Sequence, residues 1–377
     1  MAEDSAMGFS EEEFERYSRQ IILDEIGYDG QTKIKDGKVC IVGLGGLGSP
    51  ISLQLTAMGV GSLRIVDMDV VELSNLHRQS LYNTKDIGYP KAEVAEKKLK
   101  SINPRLKLEA LTLSVNQDSV NDLIKGVDVV VDGLDSIETR YVVNRACVEA
   151  GIPYVYGAAI GTIGSASTII PRETPCIECF APNLEDDQLP KCGTEGVHPS
   201  LLNIIASIET SEVIRILTCK KPNLAGKLTY FDIKDLSFDQ IEIERQSACS
   251  VCGEKPASKP KPIERRLVRD LCGRDKGRRV LAVTPRENLN LDIRKLTEKI
   301  VKKGLAIEVK AKKGVTFHYD ENVKISILSS GIAVIVGVSN DVEALRIYQE
   351  TVVKEMNIPL ERIDTVLTNS LTTNTVI

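Results

Sequence analysis

The stretch Gly43-Leu-Gly45-Gly46-Leu-Gly48 falls directly after the β-branched run Val39-Cys-Ile-Val42 and directly before a helical pattern over Ser49 to Met58. Glycines at this spacing let a chain turn sharply out of a strand, bring backbone amides close to a phosphate, and begin a helix whose N terminus faces it. A second strand pattern, Ser62-Leu-Arg-Ile-Val66, then ends at Asp67, 19 residues past Gly48. An acid at that place can bind ribose hydroxyls. By itself the fingerprint fits NAD, FAD or ATP.

The alternation of strand and helix continues along the chain. Helical spacing recurs over Lys91 to Ile102 and Arg140 to Ala150, and strand patterns over Leu106 to Leu113, Val127 to Val131 and Tyr154 to Tyr156. Together they predict an α/β fold, a Rossmann-like, doubly wound, mostly parallel sheet. Ahead of it, Phe14, Tyr17, Ile21, Ile22 and Ile26 come after Ser10-Glu-Glu-Glu at helical spacing, the pattern of a capped amphipathic helix. At 377 residues, 42% hydrophobic and 27% charged, the chain can build more than one core, given about 150 residues per domain. The boundary is placed after Gly253, because residues 254–279 carry ten Lys or Arg against four Asp or Glu, with prolines at 256, 260 and 262. Such a stretch reads as an exposed linker. The expected organisation is a first domain over 1–253, a basic linker over 254–279 and a small α+β domain over 280–377. In the last, strands are expected at Val280 to Val283, Ala306 to Lys310, Lys324 to Leu328 and Ile332 to Val338. Helices are expected at Leu291 to Lys303 and Asp341 to Met356, ahead of a polar, frayed tail after Ile363.

The residues from Asp67 onward depart from a dehydrogenase. Asp67-Met-Asp69-Val-Val-Glu-Leu-Ser74-Asn75-Leu-His77-Arg78-Gln79 brings two polar amides, a second acid and an Arg, and Gly88-Tyr-Pro-Lys91 adds a cation. An Arg together with a Lys behind a nucleotide fingerprint forms a triphosphate clamp, since both neutralise phosphate and Arg does so bidentately.

The chain holds nine cysteines. Cys176-Ile-Glu-Cys179 and Cys249-Ser-Val-Cys252 are two C-x-x-C pairs separated by 69 residues, and four thiolates are the ligand set of a tetrahedral structural Zn²⁺. Closing that site ties a loop after the sheet to the end of the domain and leaves no open position for catalysis. Cys40 and Cys147 sit in apolar patterns and read as core. Cys192 lies in a polar, glycine-rich loop, Lys191-Cys192-Gly-Thr-Glu-Gly196, just ahead of a helix expected from about Pro199; a thiol beside Lys191 and near a helix N terminus has a lowered pKa.

A formal charge of −5 gives no bulk attraction to nucleic acid or anionic lipid, no uncharged apolar run reaches the ~18 residues of a membrane span, and Met1 to Arg19 is acidic where a signal peptide is basic and then apolar. The cysteine pattern suits a reducing compartment. A cytoplasmic location is expected.

Taken together, Arg16-Tyr-Ser-Arg19-Gln-Ile, the glycine stretch, Asp67-Met-Asp69, Ser74-Asn-Leu-His-Arg78-Gln79, Gly88-Tyr-Pro-Lys91, Asp135 and the paired C-x-x-C motifs resemble the MoeB/ThiF superfamily of ubiquitin-like-protein activating enzymes, over about Phe9 to Gly253. The resemblance implies a homodimeric enzyme that uses Mg²⁺ and ATP to adenylate the C-terminal Gly-Gly of a small β-grasp protein. It implies that Asp67 binds the ribose, Gly46 and Arg78 the phosphates, Asn75 and Lys91 the triphosphate region, and Asp135 the Mg²⁺, with Gly43, Gly45, Asp69 and Gln79 completing the nucleotide site. Arg19 would reach into the neighbouring subunit's site. Where the family usually has Asn after that Asp, this chain has Ser136, which is left out of the site. Cys192 matches the family's Cys-x-x-x-Gly loop, which implies a catalytic thiol.

That thiol allows two outcomes. The leading expectation is thioester formation on Cys192 and activation of a ubiquitin-like modifier; the alternative is activation of a sulfur carrier for thiocarboxylate formation in thiamine, molybdopterin or tRNA thiolation. Residues 280–377 contain no cysteine, so a persulfide-carrying rhodanese domain is excluded. That absence and the added domain tilt toward conjugation, with the C-terminal domain recruiting a conjugating enzyme or docking a partner.

Overall fold

Ser10 caps the first helix as its sequence requires: the Glu13 amide donates to the Ser10 hydroxyl and the Ser10 amide to the Glu13 carboxylate. The computed structural model describes residues 8–190, 192–271 and 278–364, the side chains of Cys192 and Gly193 excepted. Helix α1 (Glu11–Ile21) and helix α2 (Gly27–Asp36) lead into strand β1 (Lys38–Val42), after which α3 (Gly48–Met58), β2 (Ser62–Val66), α4 (Lys91–Ile102), β3 (Lys107–Leu111), α5 (Val120–Ile124), β4 (Val129–Asp132), α6 (Ile137–Ala150) and β5 (Tyr154–Ile160) alternate. The strands run parallel in the order β3-β2-β1-β4-β5.

The doubly wound character shows in how side chains alternate along single strands. Val39 and Ile41 pack with Leu55 of α3 and Leu99 of α4 on one face, while Cys40 and Val42 pack with Val143 and Cys147 of α6 on the other. Strands buried on both faces favour apolar residues on both, which is why Val39–Val42 of β1 and Val129–Val131 of β4 read as apolar, largely β-branched runs. Cys40 and Cys147 are core residues, and burial pushes the Cys40 thiol up to about 12.

Three antiparallel strands that the periodicity does not reveal extend this sheet. After β6 (Ile163–Ile169) come the short helices α7 (Ile177–Phe180) and α8 (Cys192–Glu195), the long helix α9 (Pro199–Leu217), and β7 (Lys227–Asp232) with β8 (Ser237–Glu242), completing the order β5-β6-β7-β8. The sheet is therefore mixed. β6 is hard to read because its Ser167 and Thr168 are buried, their hydroxyls donating to the Lys227 carbonyl and the Glu212 carboxylate.

A second, wholly antiparallel sheet completes the fold. Its strands are β9 (Val268–Asp270), β10 (Val280–Val283), β11 (Ala306–Lys310), β12 (Gly314–His318), β13 (Lys324–Leu328) and β14 (Ala333–Val336), ordered β11-β12-β13-β14-β10-β9. Helices α10 (Ile293–Lys302) and α11 (Asp341–Tyr348), the latter continued through a π turn to Met356, cover one face and pack Leu296, Ile300, Ile347 and Tyr348 on Phe317, Ile325 and Ile335. This is the expected small α+β unit.

The stretch 254–279 differs from a free linker. It contributes β9, which pairs with β10, and it is tied to the first unit where Arg145 donates to the Lys261 carbonyl and Gln117 to that of Ile263. Prolines and cations set no register; cross-strand pairing of Val268 to Val283 does. The tail from residue 365 onward and Cys272 lie outside the described residues.

Candidate functional site

The glycine turn between β1 and α3 closes against the end of β4. A side chain at Gly43, where φ is +90°, would come within 2.4 Å of the Gly133 carbonyl oxygen, and one at Gly48 within 1.9 Å of that of Gly43. Only glycine fits this approach. The Leu44 amide donates to the Asp67 carboxylate at 2.7 Å, so the acid at the end of β2 holds the turn in shape. Among the described residues the Gly45 and Gly46 amides have no acceptor. Gln79 is buried alongside, its Nε2 3.9 Å from where a Gly45 side chain would start, and its Oε1 has no partner among the described residues. A buried amide oxygen without a donor is uncommon, and with the free amides it marks a cradle built for a polar ligand.

The segment after Asp67 brings the cations to this place. Its other carboxylate oxygen accepts from the Asp69 amide at 2.7 Å. Asp69 in turn ion-pairs with Lys91, at the N terminus of α4, at 2.6 Å. Lys91 is buried. Burial opposes its charge, but the Asp69 and Asp67 carboxylates outweigh that and hold the ammonium charged. Burial also raises the Asp67 carboxyl, against the pull of Lys91. Asn75, likewise buried, accepts from the Glu72 amide and through its carbonyl from the Arg78 and Gln79 amides, fixing the turn that carries both. The Arg78 guanidinium donates to the Ser74 carbonyl and has no carboxylate partner among the described residues. Arg78 and Lys91 together with the free amides can neutralise a polyanion.

Asp135 is exposed in the loop between β4 and α6, three residues past Asp132. Ser136 plays a structural part, since it caps α6 through the Thr139 amide and donates to the Asp186 carboxylate at 2.7 Å. Arg19 is exposed in the last turn of α1 and forms no ion pair among the described residues. α8 begins at Cys192, whose side chain lies outside the described residues.

Behind this loop lies a network that sequence reasoning missed. Asp132, fully buried, accepts from Arg140 Nε at 2.9 Å, the Tyr154 hydroxyl at 2.7 Å and the Leu134 amide at 2.8 Å. Arg140 also donates to the Leu134 and Gly157 carbonyls. Their signal was an acid ending the strand Val129-Val-Val and an Arg in the apolar face of a helix, charges that a core accepts only as partners. Nearby, Glu209 of α9 abuts Gly157, with neither carboxyl oxygen bonded among the described residues, and burial pushes its carboxyl well above the usual range.

The four cysteines Cys176, Cys179, Cys249 and Cys252 converge, all sulfurs within 4.8 Å of one another. Cys176 to Cys249 spans 3.8 Å and Cys179 to Cys252 3.3 Å. Zn–S bonds of about 2.3 Å in a tetrahedron set sulfurs about 3.8 Å apart, so the cluster fits a closed structural zinc site. It clamps the β6–α7 loop to the end of the first unit. We expect the purified chain to carry one zinc per molecule by elemental mass spectrometry. Cys176→Ser should lose it and melt about 10 °C lower, a loss of some 3–5 kcal/mol for a domain of this size. A metal-free parent of equal melting temperature would refute this.

Comparison with known proteins identifies the family. The ThiF family model matches residues 17–251. The sulfur carrier protein adenylyltransferase of Thermus thermophilus is 38% identical over 259 residues, 67% of this chain and 96% of that protein. The SAMP-activating enzyme E1 of Haloferax volcanii is 39% identical over 243 residues, 64% of this chain and 90% of that protein. Among solved structures, E. coli MccB with ATP superposes with a TM-score of 0.57 at 25% identity, over 63% of this chain and 74% of that one. The glycine turn, the Asp67–Lys91 segment and the four-cysteine cluster all fall within or at the edge of the matched span, and this chain belongs to the ThiF family.

Proposed function

We propose that this chain is an adenylyltransferase that uses ATP to activate the C-terminal carboxylate of a small sulfur-carrier protein. The observation that carries the reading is the cradle of unpartnered Gly45 and Gly46 amides and Gln79 Oε1 beside Arg78 and the Lys91–Asp69 pair. The name of the Thermus relative supports the class of substrate.

In this reading the glycine amides and Arg78 bind phosphate oxygens, Asp67 the ribose, and Lys91, oriented by Asp69, the triphosphate. Gly43 sets the turn, Asn75 holds Arg78 in place, and Gln79 completes its hydrogen bonds with the nucleotide. A carboxylate oxygen of the carrier attacks the α-phosphorus, the bond to the β-phosphate bridging oxygen breaks, and pyrophosphate leaves with the electron pair. Two anions meet in that step, so the cations act where charge gathers. Asp135, an exposed oxygen donor, fits a hard cation such as Mg²⁺, which when bound would offset the charge of the leaving pyrophosphate.

The first expectation gave precedence to a ubiquitin-like modifier and a thioester on Cys192; the relatives favour the sulfur-carrier alternative. The thioester keeps one specific support, the E1 name of the Haloferax relative. We read the chain as a homodimer, consistent with the exposed Phe14 of α1 and Ile22 and Leu23 just after it, near Arg19, and an open groove of about 470 Å³ along α9 lined by Ile204 and Ile208. No helix among the described residues is long and apolar enough to cross a membrane; a reducing, cytoplasmic setting suits the free thiols.

The test is ATP–pyrophosphate exchange with Mg²⁺ and a Gly-Gly-ending β-grasp protein, read beside intact-protein mass spectrometry without reductant. Exchange is expected only when partner and ATP are both present. Its absence with every such partner, despite ATP binding, would overturn the proposal. A reductant-sensitive adduct of partner mass less one water that vanishes in Cys192→Ala would move the outcome to thioester formation.

A further inference from the structure

The face of the second sheet opposite α10 and α11 is seated on the segment that delivers Lys91. That segment is a small ladder. The Val71 amide donates to the Tyr89 carbonyl at 2.9 Å, the Gly88 amide to the Val71 carbonyl at 2.8 Å, and the Lys91 amide to the Asp69 carbonyl at 3.0 Å. These bonds align Asp69 with Lys91, yet the segment belongs to neither main sheet.

The second unit grips its outer side. Along β12, Val315 and Phe317 enter the unit's own core, so Thr316 points the other way, where its buried hydroxyl donates to the Gly88 carbonyl at 2.7 Å and pairs with the Ser326 hydroxyl at 2.8 Å. The fit is tight: a side chain at Gly88, where φ is +84°, would come within 2.8 Å of Val309. Two residues past Lys91, the Glu93 carboxylate accepts from the Lys312 amide at 3.0 Å and the Lys313 amide at 2.7 Å in the β11–β12 turn. Met68 and Val70, flanking Asp69, pack on Leu328 and Ile332. The matched family span ends at residue 251, before this unit begins.

We propose that the second unit is a built-in brace for the nucleotide site, with Thr316 and Glu93 as positioning residues that hold the Gly88–Glu93 segment, and through it Lys91, in place for the triphosphate. The bonds to Gly88 and Glu93 and the packing on Met68 and Val70 lie within three residues of Asp69 or Lys91. Two further bonds, Thr112 Oγ1 with Ser329 Oγ at 3.1 Å and Lys313 Nζ to the Ala110 carbonyl, tie the unit to the end of β3, and none of these touches the Gly45–Gly46 turn. The unit therefore acts on the Lys91 half of the cradle. This rests on the adenylation reading above.

The experiment uses the full chain and the isosteric Thr316→Val, which keeps the volume of β12 and removes both hydrogen bonds of the buried hydroxyl, to the Gly88 carbonyl and with the Ser326 hydroxyl. The apparent KM for ATP in pyrophosphate exchange should rise about fivefold with kcat within about twofold, and Thr316→Ser should restore it. Amide hydrogen exchange without ATP should quicken at Gly88 to Lys91 in Thr316→Val, and also in Glu93→Ala, while exchange in the glycine turn stays as in the parent. A lower melting temperature with KM and local exchange unchanged would mean a purely structural contact and overturn the proposal. A parent chain that binds no Mg·ATP would overturn the adenylation reading and this one together; a parent that binds it, with Thr316→Val indistinguishable, would overturn this one alone.

Discussion

Lys91→Ala should lower kcat/KM for pyrophosphate exchange by about 10²–10³-fold, the scale on which removing one preorganised charge from a dry site is felt. The ammonium is buried, charged and 2.6 Å from Asp69, so its position is set before any ligand arrives. Lys91→Arg should not rescue, because a planar fork cannot occupy the space of a point charge pinned against one carboxylate. Far-ultraviolet circular dichroism and the melting curve should stay near the parent's, since Asp69 keeps some access to water. Exchange at parental rates in a folded Lys91→Ala protein would remove Lys91 from the chemistry.

Arg140→Ala should destabilise the chain by about 3–5 kcal/mol, because it leaves the Asp132 carboxylate buried without its cation. Tyr154 and the Leu134 amide remain as donors, but the Leu134 and Gly157 carbonyls lose theirs. Burial already raises the Asp132 carboxyl in the parent, and Arg140 is the force that pulls it down. Without Arg140 the folded state favours the protonated acid more strongly. The deficit should therefore be small at and below the usual carboxylate range and grow as pH rises above it, from the parent's raised value toward the variant's higher one. Denaturant melts at pH 4.5 and pH 8 would check this; an equal deficit at both would show that lost packing, not the stranded charge, sets the cost.

Much of the parallel half of the fold was legible because its strands are buried on both faces, so β1, β2 and β4 carry few polar interruptions. The antiparallel extension was not. β8 is largely exposed, with Phe238 and Ile241 open to solvent, and β6 satisfies buried hydroxyls through partners far along the chain. Strand β12 was missed although Val315-Thr-Phe-His alternates apolar and polar residues, because the strand is only five residues long and the period is too short to stand out between its charged turns. The site was legible where chemistry demands a fixed spacing, at the glycines, Asp67 and the C-x-x-C pairs. Asp132 and Arg140 carry no such spacing, and what joins them is the packing of α6 on the sheet.

The sequence alone determined the nucleotide-type turn, the cation segment and the four-thiol set, because each depends on residue identity at short range, where backbone geometry leaves little choice. Only the tertiary structure decided that Gln79 and the glycine amides share one cradle, that cysteine pairs separated by 69 residues meet within 4.8 Å, and that the second unit rests on the Lys91 segment. Those facts depend on distances between parts of the chain far apart in sequence, which periodicity does not record and the burial of apolar faces fixes.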